Sequence, residues 1–374
     1  MKKALIAAAV AGAFVAPHAM AADGVKIGIY WPMAIQIGDT DEDNGSVSTT
    51  DETILDGGGQ NLNFTWTDSL NNGMGLIAFM QFGNLAASNG DPRFGANGVD
   101  VRDSFIGLTG DHGMVAFGTN ENFFETDFIY DGYGADWANG GEGLNYINIG
   151  RTGFNFTRRD GESVWWTSAP MNGVVAKAAY TFGNAADRGD VADAKGHQLG
   201  IQYSNGALRL HANLANYTDY GVNGGATNQA GTEASGTAFI ASYDFGSFSI
   251  TGGMFDLEQT GMGGAEDGVS VNGYSINVTM PTAGGRIILN IGELGDQDVT
   301  NATTGQTAAL NDSGKSGFDI GYQHDFSANT YMFVRYATQE SGVNFNDDLD
   351  ANDADIADVN QESDSLMLGV VFAY

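Results

Sequence analysis

Apolar and polar residues alternate with period two in short segments from Val25 to the last residue, Tyr374. Successive side chains of an extended chain point to opposite faces, so this pattern predicts strands between an apolar and a polar medium. In Val174–Phe182, Val174, Ala176, Ala178, Tyr180 and Phe182 oppose Val175, Lys177, Ala179 and Thr181. In Ala207–Tyr217, Leu208, Leu210, Ala212 and Leu214 oppose Arg209, His211 and Asn213, and in Gln60–Asp68, Leu62, Phe64 and Trp66 oppose Asn61, Asn63, Thr65 and Thr67. Further strands are predicted at Val25–Met33, Met74–Phe82, Asp100–Thr109, Met114–Gly118, Glu162–Ala169, His197–Ser204 and Thr237–Phe245. Phe248–Leu257, Val269–Met280, Gly285–Leu294, Ser316–Asp325, Tyr331–Gln339 and Ser365–Tyr374 bring the number to sixteen. Met74–Phe82 is apolar on both faces, so alternation does not orient it.

The connections alternate between short turns, such as Asn205-Gly206 and Gly246-Ser247, and loops of roughly ten to forty residues rich in Asp, Asn and Gly. An even-numbered barrel with short turns at one rim and long loops at the other has this rhythm, whereas a sandwich has no reason to gather its long connections at one end. The predicted fold is all-β, a closed antiparallel transmembrane barrel of sixteen strands, wide enough for an aqueous lumen. Tyr30, Trp31, Trp165, Trp166, Tyr203, Tyr243, Tyr274, Tyr322, Tyr331 and Tyr374 stand near strand ends, where aromatic girdles meet the membrane interfaces.

Met1-Lys2-Lys3, the apolar run Ala4–Ala16 and the small-x-small site Ala19-Met20-Ala21 read as a secretory signal peptide over residues 1–21. The barrel domain then occupies residues 22–374. The apolar run is too short for a membrane helix, which needs about 20 residues. Composition adds 55 Gly, 5 Pro and no Cys, which excludes disulfides and thiolate chemistry. Removing Lys2 and Lys3 leaves 13 basic against 46 acidic residues, a net charge of −33 that excludes nucleic-acid binding.

The terminal strand places Leu366, Leu368, Val370, Phe372 and Tyr374 on one face, and its Gly369-x-x-Phe372-x-Tyr374 ending resembles the assembly signal of outer-membrane barrels. Arg102-Asp-Ser-Phe-Ile-Gly-Leu-Thr-Gly-Asp-His-Gly-Met-Val-Ala-Phe-Gly118 is similar to a hairpin of the Gram-negative general porins. Val25-Lys-Ile-Gly-Ile-Tyr30, Arg159–Gly173 and Ser327–Tyr336 resemble that family's first, sixth and penultimate strands. The resemblance implies a trimeric, outer-membrane diffusion channel for small hydrophilic solutes and ions. Its expected partners are lipid, lipopolysaccharide and, through the last strand, the barrel assembly machinery.

In that family the third long loop folds into the lumen and sets acidic side chains against a basic wall. The corresponding loop, Thr119 to Gly161, carries Glu121, Glu125, Asp127, Asp131, Asp136 and Glu142 among aromatics. Arg102 and Arg159 match the family's arginines by motif, whereas Asn61 and Thr119 stand where others are usual. Lys177, Arg209, Arg286 and Arg335 face the lumen by alternation. A wall less basic than the family's, with more acidic loops, predicts preference for cations.

Asp39-Thr-Asp-Glu-Asp-Asn-Gly45 fails as an EF-hand, having Asn44 and Thr50 where Gly and Glu are required. No metal site or cofactor is expected, beyond weak Ca²⁺ or Mg²⁺ association with acidic loops such as Asn346–Asp364. The alternative functions are an adhesin or structural barrel, or a hydrolase at the barrel rim. The five histidines (His18, His112, His197, His211 and His324) give no catalytic constellation for the latter.

Overall fold

In the computed structural model, each predicted segment forms a strand whose two faces meet different media. The structure describes residues 24–42, 49–55, 61–70, 73–83, 100–123, 126–127, 148–149, 154–155, 159–182, 195–218, 233–261, 266–301, 307–310, 314–341 and 361–373. The leader and Tyr374 lie outside these residues. The chain opens with β1 (Gly24–Glu42), β2 (Thr49–Leu55), β3 (Asn61–Ser69), β4 (Gly75–Gly83), β5 (Asp100–Gly110) and β6 (Gly113–Glu121). The two-residue strands β7 (Asn148–Ile149) and β8 (Phe154–Asn155) pair with each other. Next come β9 (Arg159–Thr167), β10 (Val174–Phe182), β11 (Lys195–Asn205), β12 (Leu208–Thr218), β13 (Glu233–Asp244) and β14 (Ser249–Thr260). The last are β15 (Glu266–Thr282), β16 (Gly285–Leu294), β17 (Gln297–Asn301), β18 (Thr307–Leu310), β19 (Lys315–Asp325), β20 (Thr330–Ser341) and β21 (Gln361–Ala373).

Sixteen of these form one antiparallel ring; β2, β17 and β18 extend it beyond the long-loop rim. The ring closes where β1 pairs with β21 from Tyr30↔Ala373 to Glu42↔Gln361. The first half of β1 pairs on its other edge with β3, from Gly24↔Thr67 to Tyr30↔Asn61. Full closure leaves no strand edge to expose unpaired amides to lipid. Several strands run past their predicted ends on the long-loop side, as β1 does from Met33 to Glu42. In β1 the extension carries the outward apolar row on through Ile35 and Ile37, opposite Leu368 and Leu366 of β21, and the ladder continues beyond them to Glu42.

The short turns hold the opposite rim. Gly113, which starts β6, has φ of 93°, and a Cβ there would lie 2.0 Å from the Thr167 carbonyl oxygen. Only glycine lets that turn lie against the end of β9.

On β21, Leu366, Leu368, Val370 and Phe372 are exposed on the outer face, whereas Met367 and Val371 are buried inside. The predicted seam and its lipid face are therefore both present. Leu368 pairs with Ile35 and Val334 across its two neighbours, well inside the apolar band. Leu368→Arg is expected to cost about 2–4 kcal/mol of membrane stability, measured by urea titration of the protein folded into vesicles. A loss within error of zero would place this face away from lipid.

The strand that alternation left unoriented is β4. Ile77 turns inward and is buried with Phe105, Met114, Ala116, Phe123 and Trp165, and Phe79 packs against that cluster. Phe79 stacks on Phe105 with centroids 5.3 Å apart, and Phe105 meets Trp165 edge-on at 5.1 Å. Both faces of β4 are apolar because one meets lipid and the other meets Phe123 of the third loop. Three expected girdle residues are corrected: Tyr30, Trp165 and Tyr331 face inward, into apolar clusters on the barrel's inner wall. Trp31, Trp166, Tyr243 and Tyr274 remain exposed outside.

Candidate functional site

The third loop turns into the barrel directly after β6. Asn122 and Phe123 are buried, and the Phe123 amide donates to Gln198 Oε1 at 2.8 Å. The Phe123 carbonyl accepts from Asn213 Nδ2 at 3.2 Å, while its ring enters the cluster beneath β4 and β5. A single helical turn follows, with the Thr126 amide donating to the Asn122 carbonyl at 3.1 Å. That turn delivers Asp127 onto three consecutive wall strands. Asp127 Oδ1 accepts from Lys177 Nζ on β10 at 2.6 Å and from Gln202 Nε2 on β11 at 2.8 Å, and it lies 3.9 Å from His211 Nδ1 on β12. Lys177 Nζ also stands 5.6 Å from the centre of the Phe123 ring.

A second carboxylate secures the same region. Asp160, at the start of β9, accepts from Gln198 Nε2 at 2.7 Å and from the Tyr217 hydroxyl at 2.9 Å. Gln198 therefore ties the loop backbone to a buried acid with both ends of its amide. The hydrogen bonds to Asp127 Oδ1 and Asp160 Oδ2 offset part of the cost of burying these carboxylates, while Asp127 Oδ2 and Asn213 Oδ1 are buried without a hydrogen-bond partner.

Burial alone pushes the Asp127 carboxyl up, but the Lys177 ammonium, with His211 and the donated hydrogen bonds, holds it well below the usual carboxylate range. A carboxylate depressed in the folded state contributes stability that is complete above its unfolded pKa. That stability is lost as pH falls from there through the folded value. The loop contact is thus expected to stay intact from pH 7 to about 4 and to weaken only at lower pH. Single-channel conductance followed across that range checks this; a change of conductance state centred near pH 6 would contradict it.

Further round the ring lies a second polar network. Arg335 Nη2 on β20 reaches Asp319 Oδ2 on β19 at 3.2 Å, and Asn290 Nδ2 on β16 donates to both Asp319 oxygens at 2.9 and 3.0 Å. Asn277 Nδ2 on β15 continues the row to Asn290 Oδ1 at 2.5 Å. Nearer the short-turn rim, Arg286 Nη2 donates to Gln323 Oε1 at 3.1 Å, and Gln323 Nε2 donates to Asp325 at 2.7 Å.

Of the residues expected at the pore, the structure brings together Asp127 and Lys177. Arg335 and Arg286 face the lumen within the second network, and Arg209 faces it as an exposed side chain near the short-turn rim. Arg102 sits at a bulge between β4 and β5, its Cδ 2.0 Å from where a Cβ on Gly83 would stand. Glu121 ends β6, in register with Arg159 at the start of β9. Glu125, Asp131, Asp136 and Glu142 lie outside the described residues. Gln198, Gln202, Asn213, Asp160 and Asp319 were not anticipated. Their one signal was inward parity in strands whose opposite face is apolar.

An apolar outer band, a polar inner wall and a loop folded inward define a pore-forming barrel of the outer membrane. The family model for Gram-negative porins matches residues 6–344, and the chain belongs to that family. Solved structures share the fold at low identity. An anion-selective porin from Comamonas acidovorans superposes with a TM-score of 0.64 at 16% identity, covering 94% of this chain and 100% of that one. OmpT, an outer membrane protein of Vibrio cholerae, gives 0.63 at 15%, covering 96% and 100%. OmpF of Salmonella typhi, in complex with daunomycin, gives 0.61 at 14%, covering 94% and 98%. No curated protein matches the chain.

Proposed function

We propose that this porin is a homotrimeric, passive diffusion channel for small hydrophilic solutes and ions, without catalytic activity, and that it prefers cations. The observation that carries the preference is the state of the wall cations. Lys177 and Arg335, the basic residues deepest in the described wall, are each bound to a buried carboxylate, Asp127 and Asp319. Each pair is neutral, so the formal net charge of −31 is carried by the chain's other charged residues. A passage bounded by surplus carboxylates concentrates cations and repels anions. The shared fold does not decide the sign, since one protein of the same architecture is anion-selective.

The test is the reversal potential of the refolded protein in a planar bilayer under a KCl gradient. A potential of the sign set by K⁺ supports the reading, and one of the sign set by Cl⁻ overturns it. Conductance steps recurring in threes, and a cross-linked trimer in mild detergent, are expected for the assembly.

A further inference from the structure

The ladder between β6 and β9 is regular until it reaches the base of the third loop. Met114 and Ala116 are buried on the inner face opposite Thr167 and Trp165, and Gly118 follows opposite Ser163. Continued regularly, this ladder would set Gly161 inward opposite Asn120, and Asp160 outward opposite Glu121. The register differs: Asn120 pairs with Asp160, and Glu121 pairs with Arg159. Three steps along β9, from Ser163 to Asp160, thus cover two along β6, from Gly118 to Asn120, which makes a β-bulge. The extra residue turns Asp160 to the inner face, where it is 2% exposed and accepts from Gln198 and Tyr217.

The bulge is held in uncommon backbone. Glu162 has φ of 47°, in the left-handed region that residues with a Cβ seldom adopt. Gly118 across the ladder has φ of 140°, and a Cβ there would lie 2.2 Å from the Ser104 carbonyl oxygen. The Ser163 hydroxyl lies 3.0 Å from the Gly118 carbonyl oxygen and 3.2 Å from that of Asp160, joining the two strands where the ladder is interrupted. Glu162 itself is exposed, whereas Asp160 and Ser163 are buried. From this geometry we infer that Glu162 is a positioning residue for the third loop. Its left-handed backbone sets the register that turns Asp160 inward. Asp160 then holds the Gln198 amide, whose oxygen accepts from the Phe123 amide and fixes where the loop meets the wall. Without the bulge the acid would stand on the outer face, and Gln198 Nε2 and the Tyr217 hydroxyl would lose their acceptor. The role belongs to the backbone of Glu162 and not to its carboxylate.

The experiment is hydrogen exchange of the Phe123 amide in the refolded full chain, with single-channel noise recorded alongside. Glu162→Asn and Glu162→Gly tolerate left-handed backbone without the carboxylate, and should protect that amide as well as wild type does. Glu162→Val resists that conformation, and its Phe123 amide should exchange about tenfold faster, with noisier open channels. The amides of β19, β20 and β21 should stay protected in every variant. Deleting Gly161 makes the ladder regular while leaving Asp160 opposite Asn120. Glu162→Val combined with that deletion should therefore recover wild-type protection. In Asp160→Ala the Phe123 amide should already exchange fast, and adding Glu162→Val should change nothing further. Wild-type exchange in Glu162→Val, equal acceleration in Glu162→Asn, or no recovery on deleting Gly161 would overturn the inference. If Glu162→Val alone does not close the barrel, the form that also lacks Gly161 decides: a protected Phe123 amide supports the inference, and a failure to fold overturns it. Exchange is read on the folded barrel, so a protein without conductance removes the proposed function and leaves this inference standing.

Discussion

Asp127→Ala is expected to detach the third loop from the wall while leaving the barrel closed. The substitution strands the Lys177 ammonium, which is 12% exposed, without the carboxylate it contacts at 2.6 Å. Removing one partner of a buried ion pair costs about 3–5 kcal/mol, and here that cost falls on the loop contact. The ladders that close the ring do not pass through Asp127, so the melting temperature of the barrel should move little. Single-channel records should instead show altered conductance and more open-channel noise. Asp127→Ala combined with Lys177→Met should restore quiet conductance, because replacing both charges with apolar groups leaves no buried charge unpaired. Records of Asp127→Ala identical to wild type would show that Phe123 and Gln198 hold the loop unaided.

Phe333→Ala is expected to have the largest effect on the barrel itself. Phe333 is fully buried on the inner wall with Ile288, Tyr331, Met367 and Val371, beside the seam. Its ring lies over Gly369 of β21, where a Cβ would come within 2.4 Å of it. Truncating such a side chain costs about 3–5 kcal/mol, readable as a lower urea midpoint for unfolding from vesicles. Phe333→Leu keeps most of the volume and should cost about 1 kcal/mol. Ion selectivity should be unchanged in both, since no charge is altered. A Phe333→Ala midpoint equal to wild type would mean the seam is held by backbone pairing alone.

The strands were legible because lipid and water sort side chains by parity, and β12 shows how directly. Leu214 is exposed to lipid while Asn213 and Tyr217 are buried inside. β4 was illegible because its inward face is covered by Phe123, a residue of another segment, and no local pattern reports that. The girdle residues Tyr30, Trp165 and Tyr331 misled for the same reason: an aromatic near a strand end fits lipid or an inner apolar cluster equally well until its parity is known. At the site, alternation placed Lys177 inward but could not pair it with Asp127, which lies fifty residues earlier in the chain. The amides of Gln198, Gln202 and Asn213 carry no charge and match no motif, yet they hold the loop. Asp319 sits mid-strand among glycines and apolar residues, and its role appears only when β16 and β20 are brought beside it.

The seam between β1 and β21 also governs how the molecule can be made. Most neighbouring strands in the ring are joined by turns or moderate loops, so their contacts can form early and locally. The pairing of Tyr30 with Ala373 joins the first and last strands of the barrel, and ordering so long an intervening segment before any reward is gained makes such contacts slow to form. Until it forms, β1 and β21 each present a free edge able to recruit another copy of the chain. Productive assembly is therefore a race between this last, most distant contact and aggregation through those edges.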